Sequence, residues 1–294
     1  NGVNGMKRMA DLIHSYGLKA GIYTDCGTKT CEKYFASYGY EELHAQDYQD
    51  WGYDFVKEDW YYDTTMAPTG ATSSNFKDGY AGLNTEWNSH STKMGQALKS
   101  RGLMLYMCEW GVHEPWKWGA ETGATCWRMS YDGRDGWWGK VGSSKNNDQN
   151  ANGVGLHNTI VLMRNLWPYV GINRYNDADM ICVGIRGTGQ SSNDCVYVEF
   201  SISNPTRRNP GLNSIEAETS FVMWCMWSSP ILLGFDMTKD MTSAELAHDL
   251  ALVKNEELIA INQDPLGQGA EYIKSANGID YYQKDLANGD VAIA

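Results

Sequence analysis

The sequence predicts an α/β chain: a parallel (β/α)8 barrel followed by the start of a C-terminal antiparallel β domain. Three observations predict it. Helical and strand periodicities alternate at regular spacing, the alternation stops near residue 268, and short alternating segments separated by Asn-Gly pairs follow. Residues 4–16 place Met6, Met9, Ile13 and Tyr16 on one helical face, Gly17 closes the pattern, and Leu18 to Thr24 reads as a buried strand. The same step recurs from a helix at 41–51 to a strand at 53–58, and from a helix at 83–101 to a strand at 103–109. Further strands are expected at 126–130, around 172–180 and at 230–235, with helices near 151–166 and 214–228. That makes about six βα units, so a closed eight-stranded barrel needs two more. The N-terminal strands 1 and 2 are therefore expected to be missing.

Residues 1–268 are expected to form the partial barrel and residues 269–294 the start of the β domain. Within the latter, strands at 271–274, 280–284 and 290–294 flank Asn277-Gly278 and Asn288-Gly289, which are hairpin signals. Gly184 to Pro210, rich in Ser, Asn, Gly and Pro, reads as a long loop inserted between barrel elements.

Composition excludes some partners. With 36 acidic against 24 basic residues, the formal net charge of −12 repels phosphate backbones and anionic lipid, so neither nucleic acid nor membrane is expected as a partner. Twelve Trp and eighteen Tyr suit stacking on sugar rings, although they equally fill large cores. Seven cysteines carry no Cys-x-x-Cys spacing, which leaves a zinc or thioredoxin-like reading without support. Cys26 and Cys31 are close enough to close a small loop; Cys108 and Cys126 close or follow neighbouring strands and either bridge them or stay buried thiols. On cysteine usage alone, a secreted or extracytoplasmic location is expected. No apolar run is long enough to span a bilayer, no signal peptide stands at Asn1, and no Asn-x-Ser/Thr sequon occurs with x other than Pro.

In parallel βα architectures the ligand meets the C-terminal ends of the strands. The polar residues there are Tyr23, Asp25, Lys57, Asp59, Glu109, Arg128, Asp132, Asp177 and Asp179. Two carboxylates across a pocket divide labour in glycoside hydrolysis: one attacks the anomeric carbon or activates water, and the other protonates the departing oxygen. Each residue also has a plainer reading, since Asp at a strand end caps helices and Lys-x-Asp makes surface pairs. Lys57 and Asp59, two apart on a strand, share a face, so the cation is expected beside the carboxylate.

The segments GLKAGIYTDCGTKTC (17–31), DFVKEDW (54–60), CEWG (108–111), WRMSYD (127–132), NDADM (176–180) and AINQDPLG (260–267) resemble, in order, those of glycoside hydrolase family 27. The resemblance spans nearly the whole chain. It implies a retaining exo-glycosidase that removes terminal α-linked galactose from oligosaccharides or glycoconjugates, with no metal and no organic cofactor. It implies Asp59 as nucleophile and Asp132 as acid/base, Arg128 near the sugar 2-hydroxyl, and Tyr23, Lys57, Glu109, Asp179 and Met180 lining the galactose subsite. An acidic residue at Glu109 favours galactose over N-acetylgalactosamine. β-L-Arabinopyranosidase and α-N-acetylgalactosaminidase activities are the rivals within the family, and a non-catalytic sugar-binding protein is the rival outside it. The oligomeric state is left open. The chain departs from the family pattern at Tyr61, where a cysteine partner for Cys31 is usual, at Ala178, where Pro is usual, and at Val112 and His113.

Overall fold

The structure, a computed structural model, describes residues 2–60, 87–111, 114–137, 154–186, 211–238 and 242–294. Tyr61, Val112, His113, Cys195 and the 187–210 part of the expected inserted loop lie outside the described residues. The chain divides into two compact units: residues 1–109 with 113–127, and residues 110–112 with 128–294.

The first unit holds α1 (Gly2–Ser15), β1 (Gly21–Asp25), α2 (Glu41–Trp51), β2 (Phe55–Asp59), α3 (Trp87–Lys99), β3 (Met104–Cys108) and most of β4 (Ala124–Arg128). Its strands pair in parallel in chain order, which places Tyr23 opposite Lys57, Asp25 opposite Asp59, and Asp59 opposite Cys108. Helix α2 buries Ala45 and Tyr48 and ends where Gly52 turns left-handed at φ 83°, its N–H donating to the carbonyls of Tyr48 and Gln49. Helix α3 buries Met94, Ala97 and Leu98, and the strands contribute Val56, Leu105 and Met107. Each of the larger side chains adds about 1.5–3 kcal/mol through its burial. A Cβ at Gly95 would lie 1.9 Å from the Thr122 carbonyl oxygen, so α3 reaches the turn before β4 at backbone distance and only glycine allows it.

The second unit begins its strands at the end of β4, where the Met129 N–H donates to the Asp177 carbonyl (3.0 Å) on β5 (Tyr175–Asp177). Among the described residues, helices α4 (Leu156–Met163), α5 (Ser214–Met226), α6 (Ala244–Val253) and α7 (Glu256–Asn262) complete this unit's helical part. A reciprocal capping box starts α5: the Asn213 side chain accepts from the Glu216 N–H, and the Glu216 carboxylate accepts from the Asn213 N–H.

The C-terminal strands β6 (Glu271–Ala276), β7 (Ile279–Asp285) and β8 (Val291–Ile293) form an antiparallel sheet in that order. Asn277 and Gly278 both take positive φ, 56° and 77°, as a two-residue hairpin turn requires. Lys284 on β7 is 1% exposed, and its ammonium donates to Ser228 Oγ (2.7 Å) and to the carbonyls of Cys225 (3.2 Å) and Ile261 (2.5 Å), which ties the sheet to α5 and α7.

The strand expected at 230–235 does not form. Leu233 makes one isolated parallel bridge to Ile181, with the Ile181 N–H donating to the Leu232 carbonyl (2.7 Å). Pro230 has no N–H to give a ladder, and the chain has just turned at Ser228, whose φ is 52°. The described residues thus supply five parallel strands, not six, and no closed eight-stranded barrel.

Candidate active site

The alternation of β2 sends Val56 and Glu58 to its buried face and leaves Lys57 and Asp59 half-buried on the other. The Asp59 carboxylate accepts from the Tyr23 hydroxyl (2.7 Å) at one oxygen and from the Trp60 N–H (2.8 Å) at the other. The Cys26 N–H donates to the Asp59 carbonyl (2.9 Å), joining the ends of β1 and β2. Partial burial, and then the neighbouring Asp59 carboxylate, raises the Tyr23 phenol above its ordinary range, so Tyr23 remains a donor. Both of Asp59's charge-assisted bonds thus come from groups that keep their protons.

Lys57 does not take the expected position. Its ammonium lies 5.1 Å over the Tyr106 ring, and among the described residues it forms no ion pair with Asp59. Tyr106 is Lys57's register partner on β3, which puts its ring beside the ammonium. Asp25 is fully buried and accepts from the Gly27 N–H (2.7 Å), while Glu109, just past β3, is 2% exposed.

Of the candidate pairs neither is bridged: among the described residues no cysteine is disulfide-bonded, and Cys108 follows the buried-thiol alternative. Cys26 is buried behind the end of β1, whereas the exposed Cys31 turns toward the Tyr23 hydroxyl at 3.6 Å. Cys126 stands opposite Tyr106 in register, two residues short of Cys108. Proximity in sequence and adjacency of strands are insufficient without facing Cβ atoms. Among the described residues no helix is long and apolar enough to cross a membrane, and no cluster of three or more His, Cys, Asp or Glu is arranged to hold a metal.

In the second unit Arg128, Asp132 and Asp179 come together. The Arg128 guanidinium is 3% exposed, and its Nη2 lies 2.9 Å from Asp179 Oδ2, 3.2 Å from Asp132 Oδ1 and 3.1 Å from the Ser130 carbonyl. Asp177 stands further off, 3.9 Å from Arg128 Nε. The Asp132 side chain is 61% exposed, so one of its oxygens is oriented by the cation while the group stays open to solvent and substrate.

Asp179 adopts a left-handed φ of 81°, rare for a residue with a Cβ, and its surroundings hold it there. Its N–H donates to Asp177 Oδ1 (2.9 Å), its carbonyl accepts from Trp224 Nε1 (2.9 Å), and its Oδ2 accepts from the Gly133 N–H (2.5 Å). Ala178, where the family pattern leads one to expect Pro, gives its N–H to Ser229 Oγ (2.9 Å), a bond Pro cannot make. Met180 is 51% exposed.

Several contributors had no sequence signal as site residues. The Trp60 and Gly133 donors are backbone groups, which every residue but Pro possesses. Trp110 stacks on Tyr131 at 5.8 Å, and a Cβ at Gly111 would lie 2.0 Å from the Met129 carbonyl oxygen; the CEWG segment contains both residues, but their packing is not readable from it.

Residues 2–203 match the family model described as alpha galactosidase A. A protein of Dictyostelium discoideum named "Probable alpha-galactosidase" is 33% identical over 99% of this chain and 60% of its own length. Alpha-galactosidase A of Cellvibrio japonicus is 30% identical over 99% of this chain and 59% of its own length. The crystal structure of alpha-galactosidase I from Mortierella vinacea superposes with a TM-score of 0.75 at 26% identity, covering 98% of this chain and 63% of that one. The chain thus spans about 60% of the length of these two curated relatives.

Proposed function

The chain belongs to the alpha galactosidase A family, and from that premise we propose that it hydrolyses terminal α-linked galactose by double displacement, with Asp59 as nucleophile and Asp132 as acid/base. The observation that carries this reading is the contrast between the two carboxylates. Asp59 is gripped at both oxygens by proton-retaining donors, which suits an anionic nucleophile. Asp132 is exposed and touched at one oxygen only, which suits a group that must exchange a proton with leaving group and water.

In this mechanism an Asp59 oxygen attacks C1 while Asp132 gives its proton to the departing glycosidic oxygen, forming a galactosyl ester on Asp59. Asp132 then takes a proton from water, whose oxygen attacks C1 and releases galactose with net retention. Tyr23, Lys57, Glu109 and Met180 line the sugar subsite, and the buried Glu109 favours galactose over N-acetylgalactosamine. Residues 1–268 are read as the partial catalytic barrel and residues 269–294 as the start of a C-terminal β domain. Substrates are α-galactoside oligosaccharides or glycoconjugates.

The experiment is a parallel assay on nitrophenyl α-galactoside, α-N-acetylgalactosaminide and β-L-arabinopyranoside, following the anomer released. α-Galactose should appear first. Replacing Asp59 with Asn should lower turnover by about four orders of magnitude or more while leaving circular dichroism unchanged; appreciable residual hydrolysis by the folded variant removes Asp59 from the role.

A further inference from the structure

We propose that Asp179 is a positioning residue for Asp132: it holds the acid/base loop in place through Arg128 and the Gly133 N–H, and its contribution to catalysis runs through that loop and not through the sugar. This rests on Asp132 being the acid/base of the preceding reading. The contacts form a closed circuit. Asp179 Oδ2 accepts from Arg128 Nη2 (2.9 Å) and from the Gly133 N–H (2.5 Å); Arg128 Nη2 reaches Asp132 Oδ1 (3.2 Å); and Asp132 is covalently joined to Gly133.

One oxygen of Asp179 therefore sets both the cation that orients Asp132 and the peptide immediately after it. Asp179 is itself immobilised at its N–H by Asp177 and at its carbonyl by Trp224. Its side chain is 3% exposed, whereas that of Asp132 is 61% exposed, so of the two it is Asp132 that meets the reacting oxygen. Without Asp179, Arg128 Nη2 loses the carboxylate at 2.9 Å and the Gly133 N–H loses its acceptor. The loop is then free to carry Asp132 away from the leaving group, and misplacement by about 1 Å is enough to cost roughly 10²-fold.

General-acid help matters only for a leaving group that needs a proton. Methyl α-galactoside needs one, and α-galactosyl fluoride, which departs as fluoride, does not. The test measures kcat/KM, which reports only the first, glycosylating step, on both substrates for the unaltered chain, Asp179→Asn, Asp132→Ala and the double variant.

Asp179→Asn should lose about 10²-fold on the methyl glycoside and less than about 3-fold on the fluoride. Added to Asp132→Ala, it should cost less than about 3-fold further on either substrate, because the group it positions is already gone. Asp179→Glu, which keeps the charge but displaces the carboxylate by a methylene, should show the same substrate-selective loss and serves where the Asn variant fails to fold. Equal losses on both substrates, or losses that multiply in the double variant, overturn the proposal in favour of direct sugar contact. Silence of the unaltered chain on both substrates sinks the galactosidase reading and this proposal with it, and is told apart from a failure confined to Asp179.

Discussion

Glu58 lies between Lys57 and Asp59 on β2, but on the opposite face, where it is 1% exposed and neither carboxylate oxygen has a hydrogen-bond partner. Burial pushes this carboxyl from its ordinary 4.5 up to about 8, and the nearby Asp25 and Glu41 carboxylates push the same way. The Ser91 hydroxyl on α3 is close enough to offset part of this without reaching hydrogen-bond geometry. Between pH 4.5 and 8 the unfolded chain carries an ionised Glu58 and the folded chain a neutral one, so folding takes up a proton and stability falls as pH rises. Two and a half pH units above 4.5, at about 1.4 kcal/mol each, remove about 3 kcal/mol by pH 7.

Glu58→Gln keeps the shape and abolishes the ionisation. Urea unfolding followed by tryptophan fluorescence should find the variant within about 1 kcal/mol of the parent at pH 4.5 and about 3 kcal/mol more stable at pH 7. Parallel pH profiles for the two proteins, or a variant that is less stable at pH 7, would refute the reasoning by showing that the folded state accommodates the charged form.

Tyr23→Phe removes one of the two donors to Asp59; at about 1.5–3 kcal/mol for a bond to a charged group, kcat/KM on nitrophenyl α-galactoside should fall roughly 10–100-fold. Thermal melts should barely move, since Tyr23 is 39% exposed, and an unchanged kcat/KM removes Tyr23 from the site. Iodoacetamide on the native chain should label the exposed Cys31 well before Cys26, whose thiol is buried and pushed above its ordinary range by that burial. After unfolding, both should label without reductant, and a need for reductant would restore a disulfide. Lys284→Met should remove the ammonium's bonds to Ser228 Oγ and to the carbonyls of Cys225 and Ile261 and lower stability by about 3 kcal/mol in urea; an unchanged midpoint would mean the apolar stem does all the anchoring.

How far the sequence carries differs from element to element. Helix α2 is legible to its ends, because polar Glu41 and Glu42 open it and Gly52 closes it with a conformation other residues rarely adopt. The C-terminal hairpin is legible for the same reason at Asn277-Gly278. The stretch 230–235 is apolar enough to read as a strand, yet Pro230 and the turn at Ser228 defeat its ladder, and apolar runs alone cannot report that. The cysteines fail as predictors because a disulfide depends on Cβ direction, and both Cys26 and Cys31 lie in a local turn whose path spacing does not encode.

The carboxylates at the strand ends are legible as positions; what orients them is much less so. Lys57 shares Asp59's face as the alternation requires, but the cation goes to Tyr106, a choice made by the register of β2 against β3. The Asp59 carboxylate is held by a phenol from β1 and by its own neighbour's N–H; Asp132 is held by an arginine that three acidic residues approach, and the peptide after it by Asp179. In both cases a backbone N–H acts beside a side chain. Such donors carry no residue identity, so a motif can name the acids while leaving out half of what orients them. Substitutions that leave both acids in place can therefore still disable the site: a Pro at position 60 or 133 would remove a donor to Asp59 or to Asp179 without touching a carboxylate.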